Sequence, residues 1–219
     1  SIASLQVVAG DDWLSPPVTT LGGLPINISF DDLTHEYHRY TYSIEHCEAN
    51  WTPSTQLFES DFLRGFAEDN IIKNFQKSVN TKVQYTHYSL QIPNAECQLK
   101  MSGNYRLTVY DANNDNEKIL SVCFMIVEPL AQIGLDVTDN TDWDIRGSHQ
   151  QVNMTVRYGN LSVTDPQTQL QTVVLQNGIW TQQRFNIKPQ YVTPEGLRWE
   201  HNEALIFDAG NEYLSLIHI

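Results

Sequence analysis

The stretch from Tyr37 to Trp51 constrains this chain most. Tyr40, Tyr42, Ile44 and His46 point one way in an extended backbone, and Arg39, Thr41, Ser43 and Glu45 point the other. Strict period-two alternation of that length is the pattern of a half-buried antiparallel strand, because successive side chains in a strand face opposite sides of the sheet. Cys47, Ala49 and Trp51 continue the alternation on the opposite parity. A β-bulge near His46–Cys47 accounts for such a slip by one residue. A central strand of a β-sandwich is therefore expected here, with Trp51 leaving it for the core or the rim.

Further alternating runs flank this strand. Ile2 to Ala9 reads as a first strand, stopped at Gly10-Asp11-Asp12. Leu24, Ile26, Ile28 and Phe30 alternate up to Asp31-Asp32. Phe58, Phe62 and Phe66 sit four apart, which suits one face of a helix. Gly65 and the short length oppose a helix, so a long loop with one irregular strand is expected over 57–66. Val79 to Ile92, with Tyr85-Thr86-His87-Tyr88 and then Leu90 and Ile92, reads as a strand stopped by Pro93. Tyr105, Leu107 and Val109 alternate after a Ser102-Gly103 turn. Immunoglobulin-like sandwiches carry a Tyr at such a place, its hydroxyl bonded to nearby backbone and a core position two residues on. A polar turn from Asp111 to Glu117 and a strand from Ile119 to Val127 follow.

Glu128-Pro129 reads as a joint, since proline cannot donate to a strand ladder. Beyond it come strands at Gln132–Val137, Val152–Tyr158 and Thr172–Gln176. Asn177-Gly178 then stands between apolar runs, the strongest short hairpin signal. The expected fold is all-β: two consecutive immunoglobulin-like antiparallel β-sandwich domains, residues 1–128 and 130–219, the second incomplete at its C-terminus.

Charge excludes some functions. Lys and Arg number 13 against 26 Asp and Glu, a net charge of −13. Nucleic-acid binding needs clustered cations on the phosphates and is not expected. Anionic lipid surfaces are disfavoured for the same reason. No apolar run reaches the roughly 18 residues of a spanning helix, so no membrane insertion is expected. Cys47, Cys97 and Cys123 form no CxxC pair. One bridge with a free thiol and three buried thiols are both compatible with an odd count.

No catalytic constellation emerges. His35, His38 and His46 lack a shared face, and extended residues three apart point to opposite sides. A metal site would need distant partners such as Cys47 or His87 and is not expected. Asp31-Asp32, Asp61, Asp69 and Asp208 show no spacing that selects an acid pair. GxSxG, HExxH, P-loop and GxGxxG patterns are absent. No cofactor and no small-molecule substrate are expected, and the chain does not read as an enzyme. Trp13, Trp51, Trp143, Trp180 and Trp199 are scattered; exposed ones would stack on sugars or anchor a protein.

Eight ordered pieces resemble one family. They are Ser29-Phe30-Asp31-Asp32-Leu33; Tyr42-Ser43-Ile44-Glu45-His46-Cys47 with Ala49, Trp51, Pro53 and Ser54; and Asn80-Thr81 with Tyr85-Thr86-His87-Tyr88. Ser102-Gly103-Asn104-Tyr105 and Phe124-Met125-Ile126-Val127-Glu128-Pro129 follow. His149-Gln150 with Val152, Val174-Leu175-Gln176-Asn177-Gly178 with Trp180, and Gly210-Asn211-Glu212 complete the set. In this order they resemble the N-terminal part of the type IX secretion system plug proteins of Bacteroidota. After Tyr213 the run Leu-Ser-Leu-Ile-His-Ile departs from the family, and residues 214–219 carry no functional expectation.

The resemblance implies a non-catalytic periplasmic protein at the inner face of the outer membrane. It would bind and close the SprA-type translocon barrel. Loops around Asp31, Asp32, Trp51 and Phe62 are the expected partner-binding positions. A carbohydrate-binding or adhesin-like sandwich and an accessory domain of a larger enzyme are the rival expectations.

Overall fold

The computed structural model of the chain describes residues 1–209 and the backbone of 215–218. Gly210-Asn211-Glu212, one piece of the family resemblance, and Tyr213 lie outside the described residues. The chain divides into two compact units, Ser1–Glu128 and Pro129–Ile219.

The first unit contains β1 (Ile2–Ala9), β2 (Val18–Thr20), β3 (Ile26–Asp32), β4 (Tyr40–Cys47), a one-turn helix α1 (Glu59–Phe62) and β5 (Leu63–Gly65). It continues with β6 (Asn70–Ile71), β7 (Asn74–Lys77), β8 (Thr86–Ile92), β9 (Cys97–Leu99), β10 (Gly103–Asp111) and β11 (Glu117–Val127). One sheet has the order β1-β3-β8-β7 and a second the order β2-β11-β10-β4-β6. Pairing is antiparallel except for β2, which lies parallel to β11.

Alternation explains the layers. Ile26, Ile28 and Phe30 of the first sheet meet Tyr42, Ile44, Leu107 and Phe124 of the second in one buried cluster. Each fully buried aromatic or aliphatic side chain contributes about 1.5–3 kcal/mol. Phe30 stacks on Tyr88 with centroids 5.4 Å apart, and Tyr105 stacks on Phe124 at 5.7 Å. The Tyr105 hydroxyl donates to the Met101 carbonyl at 2.7 Å, and Leu107 is fully buried, as the sequence led us to expect.

β4 is an interior strand, between the middle strand β10 and the two-residue edge strand β6. Its pairing with β10 runs unbroken from Asp111↔Tyr40 to Asn104↔Cys47, without the expected bulge. The parity change after Cys47 has another cause. The chain turns there: the Glu48 N–H donates to the Thr52 carbonyl and the Trp51 N–H to the Glu48 carbonyl, with Trp51 at a φ of 66°. The segment 57–66 holds the one short strand expected there and adds a turn of helix that was not expected. A single turn of helix, α1, precedes the short strand β5, and only Phe62 of the three phenylalanines is buried.

The second unit contains β12 (Gln132–Thr138), β13 (His149–Arg157), a one-turn helix α2 (Pro166–Gln169), β14 (Val173–Gln176) and β15 (Ile179–Phe185). It ends with β16 (Tyr191–Thr193), β17 (Gly196–Trp199), β18 (Ile206–Asp208) and β19 (Ser215–His218). One sheet has the order β12-β13-β17-β16, with β18 also on β13; another has the order β15-β14-β19. Asn177 and Gly178 both take positive φ in the β14–β15 turn, as a two-residue hairpin of that type requires. Val152, Met154, Val156, Val174 and Trp199 are among its buried cluster.

Candidate functional site

The two ends of the first unit carry different chemistry. At the end where β3 stops and β4 begins, Asp32 is fully buried. Its carboxylate accepts from the Tyr40 hydroxyl at 2.9 Å and from the Thr34 hydroxyl and backbone N–H at 3.0 and 3.1 Å. His38 stands between two buried acids, with Nδ1 3.0 Å from Asp111 and Nε2 3.8 Å from Asp32. Tyr88 completes the network by accepting from the His38 N–H at 2.8 Å. Burial, and then the bond to Asp32, push the Tyr40 hydroxyl far above its ordinary pKa, so it remains a donor. Each carboxylate oxygen of Asp32 and Asp111 has a hydrogen-bond partner within the fold, the condition under which buried acids are tolerated. Asp31 faces outward and is held by His87 Nδ1 at 2.7 Å.

The opposite end is built by the turn after β4. Arg106 of β10 donates from Nη1 to Glu45 at 3.1 Å and from Nη2 to the Trp51 carbonyl. That guanidinium fixes the Trp51 turn over the sheet. His46 lies beneath, with Nδ1 2.8 Å from the Ser54 hydroxyl and the ring edge-on to Tyr105 at 5.2 Å. Gly103 admits the His46 ring: a Cβ there would stand 2.1 Å from Nε2. Phe62 closes the same corner of the core, 5.8 Å from His46 and 6.1 Å from Tyr105.

The structure therefore separates the four expected partner-binding positions. Asp31 and Asp32 sit at one end of β4, and Trp51 and Phe62 at the other. Eight extended residues place those ends roughly 23 Å apart. Asp32 and Phe62 are core residues by burial; Asp31 and Trp51 are half-buried. Two phenylalanines that the sequence reading did not select are the exposed ones. Phe58 is 77% and Phe66 70% exposed, and Phe58 borders an open depression with Leu63, Arg64 and Lys100. Their spacing of four suggested a shared face with Phe62, and the single turn of α1 ends before it can place Phe66 there.

Cys47, Cys97 and Cys123 are all free thiols. Burial pushes Cys47 up to about 11 and Cys97 up to about 12, away from nucleophilic thiolate. Among the described residues, no group of three or more His, Cys, Asp or Glu is placed to hold a metal ion. Among the described residues, no helix is long and apolar enough to cross a membrane. A depression of about 640 Å³ lies open on the polar outer face of β3 and β8, with Asn27, Ser29, His87 and Ser89 in its lining. Trp199 is buried, with Nε1 donating to the Ile187 carbonyl at 2.8 Å, while Trp13 and Trp143 are exposed.

These features define an all-β protein of paired sheets, with exposed aromatics both on connecting segments, as at Trp13, Phe58 and Trp143, and on strands, as at Phe75 and Tyr191. Residues 2–128 match the family described as the type 9 secretion system plug protein 1st domain, and the chain belongs to that family. A crystal structure of a hypothetical protein from Parabacteroides merdae ATCC 43184 is similar over 97% of this chain, at 38% identity and a TM-score of 0.90. The chain spans 53% of that protein. No curated protein matches the chain.

Proposed function

We propose that this protein is a non-catalytic plug that binds and seals the SprA-type outer-membrane barrel of the type IX secretion system from the periplasm. The single observation that carries the reading is membership of the plug family over residues 2–128. The architecture supports it. A seal must resist deformation, and immunoglobulin-like sandwiches with aromatic cores are stiff blocks that present turns at their ends. A stable seal would bury on the order of 1,500 Å² in total. The Trp51 turn with Phe58, and the Asp31 edge as a second contact, supply partner-facing groups; Asp32 and Phe62 hold those loops from below.

Deletion of the gene in cells that make the barrel tests this. Entry of large antibiotics through the outer membrane should rise. Unchanged permeability, with the barrel present, would count against a sealing role. Cross-link mapping of the full-length protein on barrel components should recover peptides containing Trp51 or Phe58.

A further inference from the structure

β12 carries the longest unbroken exposed run of any described strand. All of Gln132–Val137 is exposed, and only Thr138 is half-buried. Among the described residues its one strand partner is β13, so its other edge carries unpaired backbone N–H and C=O groups. The register is unbroken over the whole strand, from Gln132↔Arg157 to Thr138↔Gln151. Ile133, Leu135 and Val137 stand opposite Val156, Met154 and Val152. Directly opposed residues share a face, so these three extend the buried layer of the unit sideways. Yet they remain 42%, 37% and 43% exposed while their β13 partners are buried. The strand has no Lys and no Pro, the usual guards of a free edge, and Asp136 is its only charge.

Charge along the edge is graded. Beyond the C-terminal end of β12 come Asp139, Asp142 and Asp144, with Arg146 as the one cation of that loop. Hydrogen bonds from Gln151 and His201 hold Asp142 below the usual carboxylate range, and His149 does so for Asp144, so both stay charged. At the other end Arg157 of β13 stands opposite Gln132. A second copy fits poorly. Two-fold pairing centred on Leu135 would put both Asp136 side chains on one face as diagonal neighbours, between chains of net charge −13.

We infer that β12 is an acceptor edge for an extended peptide segment of another polypeptide, added antiparallel, with apolar residues on alternate positions and Lys or Arg in its N-terminal half. The apolar positions would cover Ile133, Leu135 and Val137. The cations would face Asp136 and the acidic loop, and an acidic residue at the far end would face Arg157. Backbone pairing supplies affinity, and the alternating side chains supply selectivity. The inference does not depend on the sealing role and holds for any partner with that pattern.

The test uses the 219-residue chain and two blocked peptides, Lys-Val-Lys-Val-Ser-Val-Glu and its charge-reversed form Glu-Val-Glu-Val-Ser-Val-Lys. Fluorescence anisotropy should show the first binding about ten-fold or more tighter. Amide exchange should slow in β12 and not in the other edge strands. Asp136→Lys should erase the preference, and Leu135→Lys, at an exposed position, should abolish binding with an unchanged circular dichroism spectrum. Equal affinity for both peptides, protection elsewhere, or no binding would overturn the inference. So would a dimer in sedimentation that Leu135→Lys dissociates, since a second copy would then own the edge.

Discussion

β4 and β12 are written in nearly the same alternating pattern, and the fold treats them in opposite ways. Tyr40, Tyr42 and Ile44 of β4 are at most 3% exposed, packed between two hydrogen-bonded neighbours and a facing sheet. Ile133, Leu135 and Val137 of β12 alternate just as regularly and stay open to solvent. Period two tells which residues share a face. It does not tell whether that face acquires a second layer, because the neighbours come from distant sequence. The free energy of burial therefore belongs to the pairing topology more than to the strand.

The sharpest way to break this comparison is to remove the same side chain from each setting. Leu107→Ala, in the core of the first unit, should cost about 2–5 kcal/mol by transfer plus cavity terms. Leu135→Ala in β12 should change stability by about 0.5 kcal/mol or less. Chemical denaturation of both variants measures the contrast, and equal losses would dissolve it.

Gly103→Ala should cost about 2–3 kcal/mol, because the new Cβ meets His46 and the residue has a φ of 150°. The melting temperature of the first unit reads that loss. Tyr105→Phe should cost about 1–2 kcal/mol, since it leaves the Met101 carbonyl without its donor. Amide exchange around 101–105 should quicken in that variant if the bond anchors the start of β10.

The smallest expected effect is confined to the second unit. The carboxyls of Asp142 and Asp144 lie below their ordinary value of 3.8. Groups depressed by folding stabilise above the unfolded value and lose that contribution as pH falls through the folded one. The 139–148 loop should thus hold its amide protection down to about pH 4 and lose it below, with the β4–β10 ladder unchanged. Simultaneous loss in both places would show that the loop is not a separate element.

Much of the fold was legible from the chain alone. The alternation in β3, β4, β10 and β11 and the Asn177-Gly178 hairpin are local signals, read within a few residues. The short strands β6, β9 and β16 to β18 were not legible, because two to four residues carry no period. The parity change at Cys47 misled for a related reason: a turn and a bulge both displace alternation by one. The site was less readable. Asp31 and Asp32 look identical as neighbours in sequence. One faces His87 on the surface and the other is buried by Tyr40, Thr34 and His38, and only the strand's facing decides which. Phe58 and Phe62 were equivalent under a helical spacing that lasts one turn.

The Arg106 guanidinium has a mechanical consequence. It clasps the Trp51 carbonyl on one side and Glu45 on the other, from the middle strand of five. A tug on the Trp51 turn is thereby handed to β10 and β4, whose eight paired positions lie side by side along the pulling direction. Rungs loaded that way must yield together and not one after another. The Trp51 turn is thereby moored to the β4–β10 ladder.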